Sequence, residues 1–261
     1  MSNDPQESLD LFDEHEEIVS EDGKEVKRKG IFLLPNLLTT AALFSGFFSI
    51  VSAINENFVY AGIAIFAAQM LDGLDGRVAR LTNSQSLFGA QYDSLSDVIS
   101  FGLAPALIVF LWGLNSIGQA GWIISFFYVA AAALRLARFN TYIGSEDSFF
   151  KGLPSPIAGA MVVYFVWAMS SYGIQGEEVG SVLAFSTALL TAIVSLLMVV
   201  NIPYYSFKEI EMKKRVPFFS MLFVVFIFIF ISIDPPIVLA SCAFAYIVSG
   251  PLIWVAKRLK N

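Results

Sequence analysis

From Leu37 to Ala256 the chain is a succession of apolar segments, each roughly 17 to 25 residues long, the length that crosses a bilayer as a helix. They are read at Leu37–Ile54, Val59–Leu81, Phe88–Leu114, Trp122–Tyr142, Ser155–Ser171, Ser181–Val200, Val216–Ile233 and Pro236–Ala256. Only SIDPP divides the last two, and its Pro-Pro pair beside an Asp is a strong turn signal. Charge follows the same rhythm. The odd-numbered connections, NEN, NSIGQAG, GIQGEEVG and SIDPP, hold no Lys or Arg, and all 16 cations fall on the other side. By the positive-inside rule this predicts an all-α integral membrane bundle of about eight helices with both termini cytoplasmic. The hydrophobic share of 56% and charged share of 15% agree with that class and argue against an ordinary soluble domain.

The remaining composition narrows the chemistry. Ten of the 22 acids lie in the first 25 residues, so the net charge of -6 describes the tail rather than the bundle. Residues 1–23 read as a mobile acidic tail without a signal peptide, followed by the basic KEVKRKG, a segment attracted to anionic headgroups. The chain therefore divides into an N-terminal segment, 1–30, and a membrane domain, 31–261. His15, the one histidine, is in the tail, which excludes histidine-based metal or acid–base chemistry in the bundle. Cys242 stands alone in an apolar run and packs as a small hydrophobe.

One stretch breaks the apolar pattern. DGLDGRVARLTNSQSLFGAQYDSLSD places Asp72, Asp75, Asp93 and Asp97 at the cytoplasmic ends of the second and third segments. In helices, Asp72, Asp75, Gly76 and Ala79 share one face, as do Gly89, Asp93 and Asp97. The short TNSQS turn makes the two helices antiparallel neighbours whose faces meet. Counted back from the turn at about 1.5 Å per residue, Asp72 lies on the order of 15 Å inside. Four carboxylates converging there repel one another and are costly to bury, and Arg77 and Arg80 offset only part of the cost. Hard divalent cations remove the difficulty, since oxygen-only sites suit Mg²⁺, Mn²⁺ or Ca²⁺. The small residues Gly76, Ala79 and Gly89 leave a groove against the backbone. Carboxylates, a divalent ion and a groove beside a cation suit a phosphate ester or diphosphate. The competing readings are charge pairing at helix ends and an acidic pathway for divalent-cation transport, which predicts neither the groove nor the adjacent Arg.

The spacing Asp72-x2-Asp75-Gly76-x2-Ala79-Arg80-x8-Gly89-x3-Asp93-x3-Asp97 resembles the signature of the CDP-alcohol phosphatidyltransferases at every fixed position. That resemblance covers the chain from about Leu34 onward. It implies two divalent ions, Mg²⁺ or Mn²⁺, held by Asp72, Asp75, Asp93 and Asp97 around a CDP-linked lipid diphosphate. It also implies that Gly76, Ala79, Arg80 and Gly89 lie along the CDP-lipid, that Asp97 is the base for the acceptor hydroxyl, and that CMP is released. A homodimer in the cytoplasmic membrane, with the site facing the cytoplasm, follows from the same resemblance, and no nucleic acid is involved.

LPNLLTTAALFSGFFSI, ALRLARFN and KGLPSPIAGA resemble the branch of the family that uses L-serine as acceptor and CDP-diacylglycerol as donor. The glycerol-3-phosphate branch carries an Arg after the Pro-Asn-Leu segment, where TTAALFSG has none; a choline site favours an aromatic cage, for which Tyr92, Phe139 and Tyr142 are present, so choline stays open as an alternative acceptor. Serine needs a cation for its carboxylate, and Arg135, Arg138 and Lys151 are the candidates, with Asn36 and Thr39 near the site. Arg135 and Arg138 also suit snorkelling anchors, and Gly46 a helix-packing glycine. GLPSPIAGA reads as a rigid, Pro-bracketed entry into the fifth segment, placed near the aspartates.

Overall fold

The structure, a computed structural model, describes residues 17–21, 24–28, 33–82, 84–141, 150–204, 226 and 229–260. Apolar segments become helices as their length requires: α1 (Leu33–Ile54), α2 (Phe58–Leu81), α3 (Leu87–Asp97), α4 (Ala104–Trp112), α5 (Gln119–Thr141), α6 (Ser155–Ser171), α7 (Ser181–Val199) and α8 (Pro235–Lys260). Between α3 and α4 the helix is not interrupted but widened, into a π-helical turn at Val98–Leu103. Among the described residues, six helical stretches are long and apolar enough to cross a membrane, and α6 is a shorter apolar helix. The expected seventh segment, Val216–Ile233, lies mostly outside the described residues, as do the loop KEIEMKKR and most of the acidic tail. The described part of SIDPP behaves as expected: 229–233 are helical, Asp234 is not, and α8 starts at Pro235.

Two small antiparallel pairings join this helical architecture. Glu17–Glu21 (β1) pairs with Lys24–Arg28 (β2), where the sequence reading expects a mobile tail through residue 23. The register sets Glu17 opposite Arg28, Val19 opposite Val26 and Glu21 opposite Lys24. Phe150–Lys151 (β3) pairs with Pro203–Tyr204 (β4) and ties together the connections before α6 and after α7.

Contacts between connections sort the two ends of the bundle. Trp112 Nε1 donates to the Ile174 carbonyl at 3.0 Å, and the Tyr172 hydroxyl donates to Asp234 at 2.7 Å. These join the connections that hold no Lys or Arg. The β3–β4 pairing and the Arg138 Nη1 bonds to the Val199 carbonyl (3.2 Å) and Asn201 (2.8 Å) lie at the opposite end. Lipid supplies no hydrophobic force between helices, so small residues carry the close approaches. A Cβ on Gly46 would collide with Ser100, and one on Gly62 with Trp167, which makes Gly46 the packing glycine that the sequence suggests.

The entry to α6 is rigid for a backbone reason. Gly152 has φ +96°, and an added Cβ would lie 2.5 Å from the Met198 carbonyl oxygen. Its N–H donates to Ile202 and that of Leu153 to Leu197, both at 2.9 Å. Tyr204 is fully buried, fills the space left by Gly250 and donates to the Ile247 carbonyl at 3.2 Å. Burial pushes its phenol up to about 12, so it stays a neutral donor.

Candidate active site

Asp72 and Asp75 come from α2, Asp93 and Asp97 from α3, on the faces their spacing predicts. The helices meet through a capped turn. Ser86 accepts the Gly89 N–H at 2.8 Å and starts α3, and Thr82 and Ser84 share a 2.6 Å hydrogen bond. As a result, carboxylate oxygens of Asp72, Asp75 and Asp93 lie within 4.8 Å of one another. Asp97 stands one turn deeper than Asp93. Asp72 is within hydrogen-bonding reach of both Asp93 and Asp97, and the Arg135 guanidinium is the positive neighbour of Asp97.

At about 5 Å, and an effective dielectric of about 20, two carboxylates repel by roughly 3 kcal/mol. Three such pairs cannot all be charged without a cation among them. Asp75 is buried, and Thr39 Oγ1 lies 2.6 Å from its Oδ2 and 3.1 Å from the Pro35 carbonyl. The single hydroxyl proton serves the shorter contact, to the carboxylate. Among the described residues, Asp93 Oδ1 is buried with no hydrogen-bond partner, and a divalent ion would supply one. An all-oxygen donor set of this charge suits Mg²⁺ or Mn²⁺ better than a soft metal.

The helix surface beside the acids is open, as the expected groove requires. A Cβ added to Gly73 or Gly76 would meet nothing within 4 Å. Arg80 is exposed and folds back along its own helix, its Nε donating to the Gly76 carbonyl at 3.0 Å, so a cation borders the groove. Ala79 is half-buried on the same face. Gly89 is different: an added Cβ would lie 3.0 Å from Ser86 Oγ and 3.3 Å from Asn36 Oδ1, so it lets α1 approach α3. Asn36 is thereby brought to the site from the first helix, along with Thr39.

The acceptor candidates separate in space. Arg135 Nη1 donates to the buried Ser155 hydroxyl at 2.8 Å, and its positive charge acts on Asp97. Arg138, one turn on, sends two hydrogen bonds to the connection after α7. Lys151 lies in β3, and its side chain is outside the described residues. Several neighbours carry no sequence signal of their own. Gln69 Nε2 donates to the Pro156 carbonyl at 2.6 Å and its Oε1 accepts from Tyr164. Since Gln69 precedes Asp72 by one turn, α6 begins level with the aspartates rather than at the end of the bundle. That recess explains why α6 is short, and it sets GLPSP beside the acids.

Comparison with known proteins agrees with this arrangement. A profile of the CDP-alcohol phosphatidyltransferases matches residues 32–249. The chain is similar to a CDP-diacylglycerol–serine O-phosphatidyltransferase of Helicobacter pylori, 36% identical over 88% of this chain and 94% of the relative. One of Mycobacterium tuberculosis is 39% identical over 53% of this chain and 51% of its own. An archaetidylserine synthase of Methanothermobacter thermautotrophicus is 35% identical over 66% of this chain and 69% of its own. With the matched region spanning every helix that builds the aspartate site, the chain belongs to the CDP-alcohol phosphatidyltransferase family.

Proposed function

We propose that this protein is an integral membrane enzyme that transfers the phosphatidyl group of CDP-diacylglycerol to the hydroxyl of L-serine, giving phosphatidylserine and CMP. The observation that carries the reading is the convergence of Asp72, Asp75 and Asp93 from α2 and α3, with Asp97 one turn deeper, beside the open helix surface at Gly76. The full-length relatives point to serine as the acceptor.

Asp72, Asp75, Asp93 and Asp97 would hold two divalent ions, Mg²⁺ or Mn²⁺. When bound, such ions supply charge neutralisation for the diphosphate and for the CMP that departs. The chain's own residues do the rest. Gly76 and Ala79 admit the nucleotide to the backbone of α2, with Arg80 at the rim. Thr39 holds Asp75 in place, leaving its other oxygen toward the cluster. Asp97 takes the proton of the serine hydroxyl as that oxygen bonds to the phosphorus carrying diacylglycerol and the bond from phosphorus to the CMP oxygen breaks. Arg135, anchored by Ser155, supplies positive charge where the serine carboxylate enters a site rich in negative charge.

We further infer eight crossings and a site on the cytoplasmic side. Tyr204 lies at the aspartate end and Asp234 at the opposite end, so an odd number of crossings connects them. The protein would act as a homodimer. Chelation tests the core of the reading: CMP release should stop when divalent ions are stripped and return with Mg²⁺ or Mn²⁺. Undiminished release after exhaustive chelation would sink it.

A further inference from the structure

We propose that Tyr128 is a positioning residue for the transfer: its hydroxyl grips the Phe101 carbonyl and, through the π-turn, fixes where Asp97 stands relative to α5. The inference rests on the reading of Asp97 as the base.

It begins with a proline. In an α-helix the carbonyl of residue 101 accepts the N–H of residue 105, but Pro105 has none. The helix answers by widening: Val98–Leu103 is π-helical, and the Ala104 N–H reaches the Ile99 carbonyl five residues back. This turn starts at the residue after Asp97. Its register therefore decides how the Asp97 side chain is aimed relative to everything packed against α4.

A donor from outside the helix reaches the carbonyl that Pro105 cannot serve. Tyr128 on α5 is fully buried, and its hydroxyl donates to the Phe101 carbonyl at 3.1 Å. The same turn is held from two further positions. Gly159 of α6 passes so near that an added Cβ would lie 3.1 Å from Pro105 and 3.5 Å from the Phe101 oxygen, and Gly102 sits against Ala132 of α5. Without the phenol hydroxyl, the proline-broken turn loses a bond that lipid cannot replace.

Geometry connects this bond to the chemistry. Tyr128 and Arg135 are seven residues apart on α5 and share a face. The partners they meet, Phe101 and Asp97, are four apart on the facing segment, which runs antiparallel. Farther along, Ser94 donates to Asn140 at 3.1 Å. Thus α5 is bonded to the aspartate-bearing segment on either side of Asp97, through Asn140 and Tyr128, and the Tyr128 bond fixes the register in which Asp97 stands relative to α5.

Tyr128→Phe removes the hydroxyl and keeps the ring. The test is steady-state CMP release by the purified full-length enzyme, with kcat expressed per CDP-diacylglycerol-binding site so that misfolded protein does not count. A misplacement approaching 1 Å costs about a hundred-fold in rate, so a partial loss of register should lower kcat per site by roughly ten-fold. KM for CDP-diacylglycerol should stay within about two-fold. Trp112→Phe is the control, since it also removes a buried aromatic hydrogen bond, at the far end of the bundle. It should lower thermal stability and leave kcat per site unchanged. Wild-type kcat per site in Tyr128→Phe would overturn the proposal, as would an equal loss in both variants or a parallel loss of donor affinity. Asp97→Asn, measured alongside, separates the two claims. If it is inactive while Tyr128→Phe is normal, only the positioning role falls; if it turns over normally, both fall.

Discussion

Asp97 and Asp75 occupy different surroundings, and that difference predicts different failures. Asp75 is held by Thr39, whereas Asp97 lies deeper, beside Arg135. Asp97→Asn should retain CDP-diacylglycerol binding while slowing CMP release by about 10² to 10⁴, the usual cost of losing a general base. Thr39→Val keeps the shape and removes the donor. Since a hydrogen bond to a charged group is worth about 1.5–3 kcal/mol, the Mg²⁺ concentration for half-maximal activity should rise roughly ten-fold or more. A metal titration that superimposes on wild type would show that Thr39 does not organise the cluster. Among the acceptor candidates, Arg135→Ala should raise the KM for serine more than Arg138→Ala does, because the Arg135 charge acts on Asp97 while Arg138 bonds to Val199 and Asn201 at the end of α7. The reverse order in serine titrations would move the carboxylate site outward.

At the scale of elements, glycines separate packing from binding. Gly46 has Ser100 where a side chain would go, and Gly76 has open space. Gly46→Leu should therefore lower the thermal midpoint of the purified protein, since overpacking typically costs about 1–3 kcal/mol. Gly76→Leu should leave the midpoint unchanged and block CDP-diacylglycerol binding. Unchanged donor affinity in Gly76→Leu would mean that the nucleotide lies elsewhere. The aspartate faces are legible in the sequence because side chains three and four residues apart must share a helix face. The meeting of α2 and α3 is legible because a short turn leaves the chain no other course. Thr39 against Asp75 is only hinted at, since the contact bridges 36 residues and depends on how α1 packs. Pro105 announces a disturbed helix, but nothing in the local pattern says that Tyr128 supplies the missing donor. Likewise the recess of α6 follows from Gln69 meeting Pro156, a pairing that no periodicity contains.

For the whole molecule, alternation of charge along the chain predicts separation of charge between the two ends of the bundle. The sequence carries this arrangement because cations are excluded from every second connection, and the structure brings those connections together through Trp112, Tyr172 and Asp234. The β1–β2 hairpin was not legible in the same way: its strands are too polar to announce themselves by alternation. The topology makes a direct prediction. In a Cys242→Ser background, single cysteines replacing Glu56 or Glu178 should label from outside intact cells, and those replacing Thr82 or Gln85 only from the cytoplasmic face. Labelling of all four from one side would contradict the proposed orientation.

The central claim is that this site moves a phosphatidyl group onto serine, and acceptor competition tests it most directly. Purified enzyme is supplied with CDP-diacylglycerol, Mg²⁺ or Mn²⁺, and in turn L-serine, glycerol-3-phosphate, inositol or choline, with CMP and the lipid product both measured. The account predicts that serine releases CMP in step with phosphatidylserine and that the other alcohols do so far less. Faster CMP release with choline or glycerol-3-phosphate, accompanied by the corresponding lipid, would contradict serine as the acceptor, and no CMP release with any alcohol would contradict the transfer itself.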